Sequence, residues 1–469
     1  MSGVRRSRLP ATVFVILSGL YASCSGDADP APADRRRPTR EADAGTLDSG
    51  AGAADTGAPE RAGVTWFVAP DGDDSAPGTR EQPTTLTAAL ERVRPGGTVY
   101  LRGGTYKYAT QITIPRDDDG APNAERTLSQ YQHEAPILDF SDQPYGTESR
   151  PHGLQIEGDH WHVIGLIVRG AAGSGIYVAG SHNTIQRCAT YANRGTGLQI
   201  GRVASVPPAE APSHNLILNC ESFDNYDRPP RASDPADGFA ARRGIGAGNV
   251  FRGCVAHHNI DDGWDLSAAT DDAASGALWI DQCVAHTNGL LLDGTHDDAG
   301  DREGFKLGGG GIAVGHVVTR SVAYYNGKHG FTSNTNPGEL RLSNDLAFDN
   351  GEGNYAFGDH SAVAAAVFAN NVSLWVETGA ARADEVAGED ASGSNRFWRD
   401  GSSGVAASDF ATTLRLPKLA RDAAGNLDLS VFALAPESPL IDAGVVPAQL
   451  PFDAAYYRGK PDLGAFETR

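Results

Sequence analysis

The stretch AHHNIDDGWDLSA, residues 256–268, places Asp261, Asp262 and Asp265 within five residues. Carboxylates a few ångströms apart repel and raise one another's pKa, so a chain that keeps three of them together needs a positive partner. Related units flank the stretch: DGFA at 237–240, DGWD at 262–265, EGFK at 303–306 and HGFT at 329–332. Along a strand alternate side chains share a face, and parallel neighbours lie about 4.8 Å apart. With Phe239, Trp264, Phe305 and Phe331 facing a core, Ala240, Asp265, Lys306 and Thr332 form one outward row. That register stacks Asp237 on Asp262 and Asp265 on Lys306, with Asp261 at the edge. Four converging carboxylates supply hard oxygen ligands for a high-coordination cation, which favours Ca2+ over Zn2+. The bland alternatives are an Asx-rich surface turn or a calcium site that only stabilises the chain. Asp237 and Lys306 falling in register weigh against both.

Positioning such a row takes a repeat. CATYAN (188–193), CESFDN (220–225), CVAHHN (254–259), CVAHTN (283–288), SVAYYN (321–326) and DLAFDN (345–350) align without gaps, each ending in Asn, at roughly 24- to 38-residue separations typical of solenoid coils. Short β-branched runs such as Asn249-Val250-Phe251 alternate as strands do. The expected fold is all-β: a single-stranded right-handed parallel β-helix whose recurring Asn forms a ladder that satisfies turn backbone groups. Cys188, Cys220, Cys254 and Cys283 share one repeat position and read as a buried stack, with a bridge between neighbouring coils as the alternative. His257 and His286 fall where other copies have Tyr or Phe, so they belong to an aromatic stack, and a zinc role for them or for His258 is set aside. A short amphipathic helix with Leu86, Ala89, Leu90 and Val93 on one face is expected to cap the N-terminal end.

Outside the repeats, Arg5, Arg6 and Arg8 precede an apolar run at 11–20 and then Ala22-Ser23-Cys24. This reads as an export signal over 1–24 and resembles a bacterial lipoprotein signal with Cys24 lipidated. Residues 25–63 carry almost no large apolar side chain and read as a disordered tether, leaving 64–469 as one domain. The expected location is therefore exported: an outer-membrane or cell-surface lipoprotein, or a secreted protein, touching membrane only through its anchor. A net charge of −20 argues against a nucleic-acid partner. It also disfavours an anionic polymer unless a bound cation bridges the two. Gly308 to Gly311 lacks the Lys-Ser/Thr ending of a phosphate loop and reads as a turn open to substrate.

The combination DGFA, NIDDGWDL and GFKLGG resembles the family-nine polysaccharide lyases, calcium-dependent pectate lyases on a β-helix. The resemblance implies that Asp237, Asp261, Asp262 and Asp265 bind Ca2+ and that Lys306 is the Brønsted base. It further implies β-elimination on a 1,4-linked acidic plant-type polysaccharide such as pectate, by a monomer; rhamnogalacturonan or another uronic-acid polymer fits the same chemistry. Arg242 and Arg243 stand where members tend to carry Lys and an apolar residue, which bears on substrate contacts in that coil. Arg242, Arg302, Glu303 and His329 are expected at the substrate. A free Lys near pKa 10.4 is a poor base at neutral pH, so nearby positive charge must lower it, while Asp265 raises it unless calcium claims that carboxylate. Two competing readings remain. A β-helix hydrolase needs two carboxylates as acid and nucleophile or base; a non-catalytic, calcium-dependent polysaccharide-binding surface protein needs no base at all.

Overall fold

The computed structural model describes residues 64–468 except 147–149, 228–235, 269–274, 298–299, 359–365, 378–380, 391–392, 416, 448–455 and 458. The signal and tether expected over 1–63 lie outside the described residues. From Thr65 onward the chain winds through three parallel sheets of 12, 10 and 10 strands. Each coil visits a long sheet, then a sheet that ends in the repeated Asn, then a sheet that carries the DGF-type units. This is the right-handed parallel β-helix expected from the repeats. The expected helix is present at Leu86–Arg92, started by Thr85, whose hydroxyl accepts from the Ala88 N–H. Leu86, Ala89, Leu90 and Val93 are buried in the core, as their spacing predicts.

The asparagines form a continuous ladder. In each step the Oδ1 of one Asn accepts from the side-chain amide of the Asn one coil earlier: Asn193 to Asn225 at 3.0 Å, Asn225 to Asn259 at 2.8 Å, Asn259 to Asn288 at 2.9 Å, Asn288 to Asn326 at 2.8 Å and Asn326 to Asn350 at 2.9 Å. The same oxygens also accept the backbone N–H of the preceding Asn. The residue before each Asn, namely Ala192, Asp224, His258, Thr287, Tyr325 and Asp349, has φ between 51° and 55°. A left-handed conformation costs a non-glycine residue roughly 1–2 kcal/mol, and the ladder holds it in place at every turn. A second ladder, Asn183 to Asn215 to Asn249, braces an opposite corner. The repeat alignment did not reveal it, because those three residues fall outside the six-residue unit.

Inside, Phe239, Trp264, Phe305, Phe331 and Tyr355 stack ring on ring at 4.7–5.2 Å. Tyr191, Phe223, His257, His286, Tyr324 and Phe348 form the second stack, at 4.9–5.1 Å, with both histidines in the places expected. All four described cysteines are free and buried, so the bridge weighed as the alternative does not form. The segments SPLIDAGV and PDLGAFET bring Leu440 and Leu463 into a second apolar cluster with Val322, Leu346 and Val372.

The ladder's contribution is measurable. Asn288→Ala strips the acceptor from two buried Asn259 donors, and each such donor costs about 1–3 kcal/mol. The variant is expected to unfold several degrees below wild type in a thermal melt followed by circular dichroism; an unchanged midpoint would show that the ladder does not hold the coils.

Candidate functional site

The strands Phe239–Ala241, Trp264–Asp265, Phe305–Lys306 and His329–Thr332 lie side by side in one sheet. Their register pairs Ala240 with Asp265, Asp265 with Lys306 and Lys306 with Thr332. The inward rings therefore set the outward row, as expected. The glycine before each ring has a definite reason. A Cβ on Gly238, Gly263, Gly304 or Gly330 would come within 2.8–2.9 Å of the amide nitrogen of Asn259, Asn288, Asn326 or Asn350. The backbone passes so close to the ladder that only glycine fits, and the residue preceding each glycine, Asp237, Asp262, Glu303 or His329, is carried to the same height on its rung.

Asp237, Asp262 and Asp265 are buried, and each offers a carboxylate oxygen within 4.8 Å of the others. Asp237 Oδ2 accepts from the Thr196 hydroxyl at 3.1 Å and Asp262 Oδ1 from the Glu303 N–H at 2.7 Å. Asp262 Oδ2 is buried without a hydrogen bond of good geometry, although Lys306 Nζ lies 3.2 Å away. Arg242 reaches into the group, 2.6 Å from Asp265 Oδ2 and 3.2 Å from Asp237 Oδ2. Lys306 Nζ donates to Asp301 Oδ2 at 2.6 Å. Asp261 sits at the edge, its Oδ1 accepting the N–H groups of Asp301 and Arg302 at 2.6 and 3.1 Å.

Burial is the first cause of every shift here. It pushes Asp237 up to about 7 against the pull of Arg242, with Asp265 and Asp261 adding to the rise. It pushes Asp262 well above the usual carboxylate range, reinforced by Asp261, and Asp261 upward as well. At Asp265 burial is outweighed by Arg242 and Lys306, and the carboxyl falls below its ordinary value. For Lys306 burial acts downward, but Asp262, Asp265 and Asp301 outweigh it and raise the amine. Three buried acids with an orphaned oxygen and two cations drawn among them make a donor set suited to a hard divalent ion.

The other expected residues are placed differently. Arg242, expected at the substrate, is bonded to Asp237, Asp265 and the Thr196 hydroxyl. Glu303 turns from the three acids toward His329, accepting from its backbone N–H at 2.7 Å and lying 3.2 Å from its Nδ1, with Lys328 Nζ at 3.5 Å. Arg302 runs along Gly289 and Gly327, and it reaches the cluster through its backbone N–H. Asp301 and Thr196 were not anticipated. Both stand outside the aligned units; the one available signal was an acid five residues before Lys306. A separate cavity of about 610 Å3, lined by residues such as Gln282, Arg421, Asp428, Tyr456 and Glu467, shares no residue with this group.

Residues 66–371 match the family model described as Pel9A-like, right handed beta helix region. The chain is 44% identical to Pectate lyase L of Paenibacillus polymyxa over 386 residues, 81% of this chain and 83% of that protein. It is 33% identical to Pectate lyase L of Dickeya dadantii over 86% of this chain and 90% of that one. The solved structure of pectate lyase Pel9A aligns at a TM-score of 0.72 and 32% identity, covering 87% of this chain and 97% of that one. A rhamnogalacturonan lyase structure aligns at 0.66 and 26%, covering 80% and 97%.

The burial of Asp237, with the neighbouring acids adding to it, has a pH signature in protein freed of metal by a chelator. Because the Asp237 carboxyl is raised in the folded state, its proton stabilises the fold fully below the ordinary value of 3.8, and that stability is lost as pH rises through about 7. Asp237→Asn is expected to melt increasingly above wild type between pH 4 and pH 8, by a margin on the order of a few kcal/mol. A difference that stays constant across that interval, or one that reverses, would sink this account of the cluster.

Proposed function

The chain belongs to the Pel9A-like right-handed β-helix family and is a polysaccharide lyase; from that premise we propose that it is a calcium-dependent pectate lyase with Lys306 as its base. The observation that carries the proposal is the register that sets the Lys306 amine beside three buried carboxylates sharing one oxygen cage. Asp237, Asp262 and Asp265 would hold Ca2+, with Asp261 at the edge. The ion would supply a Lewis acid that neutralises the uronate carboxylate and acidifies the proton on C5.

This chain's residues do the rest. Lys306 takes the C5 proton, the electron pair becomes the C4–C5 double bond, and the bond from C4 to the leaving oxygen breaks. That oxygen takes a proton from solvent, and no water is consumed. The neighbouring acids hold the amine protonated while they remain uncompensated, so the base becomes available when positive charge occupies them and when the pH is high. Arg242 balances Asp237 and Asp265, which keeps a formally acidic protein able to approach a polyanion. Under the same proposal the domain is exported on the anchor expected at Cys24 and works as a monomer outside the cell.

With polygalacturonate as substrate, the unsaturated product is followed by its ultraviolet absorbance. Activity is expected to be highest at alkaline pH, to vanish in chelator and to return with Ca2+. Lys306→Ala is expected to lower kcat by about 100- to 10,000-fold, the range of a lost general base. Wild-type rates in that variant would remove Lys306 from the chemistry, and release of reducing ends without absorbance would mean hydrolysis. A panel including rhamnogalacturonan is expected to show preference for polygalacturonate.

A further inference from the structure

Lys306 is held most closely by a residue that none of the strands carries. Asp301 Oδ2 lies 2.6 Å from its ammonium nitrogen, against 3.2 Å for Asp262 Oδ2. The Asp301 carboxylate is itself restrained: Lys328 Nζ stands 3.6 Å from its other oxygen. The turn that bears it is fastened where Asp261 Oδ1 receives the N–H groups of Asp301 and Arg302. Lys328 donates its own N–H to the Arg302 carbonyl at 3.1 Å, tying the following coil to the same turn.

Asp262 cannot serve two cations equally. An oxygen engaged by a divalent ion is a weak partner for an ammonium or amine, and a four-carbon side chain that loses its anchor regains considerable rotamer freedom. Resting on the cation site proposed above, we infer that Asp301 is the positioning residue that keeps the Lys306 amine in place when Asp262 is given over to the ion. Asp261 links the two functions, because it stands at the edge of the acid group and clamps the turn that carries Asp301. A neutral amine retains two N–H donors, so one can bond to Asp301 while the lone pair faces the C5 proton.

The test compares Asp301→Ala and Asp301→Asn in the full chain. Turnover of polygalacturonate by Asp301→Ala is expected to fall about 10- to 100-fold, the usual cost of losing an orienting partner, with KM unchanged. Its Ca2+ affinity, measured calorimetrically without substrate, and its melting temperature are expected to match wild type. Asp301→Asn keeps an oxygen acceptor and is expected to recover most of the lost turnover. Wild-type kcat in Asp301→Ala overturns the inference. So does a loss of Ca2+ affinity in that variant, which would make Asp301 part of the cation site, or an Asn variant as slow as the Ala one, which would make its charge the operative feature. The base assignment fails separately, through Lys306→Ala.

Discussion

The vertical spacing of the coils, locked by the asparagine ladder, is the constraint on which the site depends. Each Asn oxygen binds two donors of the coil before it, so successive turns cannot slip by a residue without leaving buried amides unpaired. A one-residue slip would also exchange inward and outward faces, turning Lys306 into the core and Phe305 out of it. The ladder reaches the site directly through the glycines at 238, 263, 304 and 330, whose backbone passes against the ladder amides. The acid or histidine before each glycine and the ring after it are both consequences of that one contact.

What the register creates is costly for the fold. Asp237 and Asp262 are fully buried with their carboxyls pushed upward, and one oxygen of Asp262 lacks a hydrogen bond. Burying like charges disfavours folding unless something compensates, and Arg242 and Lys306 compensate only in part. Under the proposed cation site, the arrangement gives up stability for a cluster that an added ion would satisfy.

Much of this was legible in the residues because a solenoid converts sequence period into spatial neighbourhood. The CATYAN-type units located the ladder, the cysteine positions and the aromatic stack, and the DGF-type units located the Asp265–Lys306 pair. What escaped lies where that conversion stops. Asp301 belongs to a loop that joins two strands of one coil and has no repeat position, and Thr196 stands a coil before the first aligned unit. Arg242 lies in the coil expected, and its ion pairs with Asp237 and Asp265 were not legible, since a long side chain finds the nearest buried carboxylates whatever its register. Glu303 aligned with Asp262 in sequence, yet His329 on the next rung supplied it with two donors and drew it away.

The division of labour between rungs and loop has a physical rationale. Ligands for an ion need separations fixed to fractions of an ångström, and the ladder-locked sheet provides that rigidity. On the proposed mechanism the base must instead change partners, because the acids that hold it protonated are the ones the ion would claim. Under the two proposals above, an anchor mounted on a turn that Asp261 fastens would let the amine stay oriented while the charges around it are redistributed. Had Asp301 occupied a rung beside Asp262, it would have joined the oxygen cage and deepened the repulsion. Its place outside the repeat is the reason that no periodicity could disclose it.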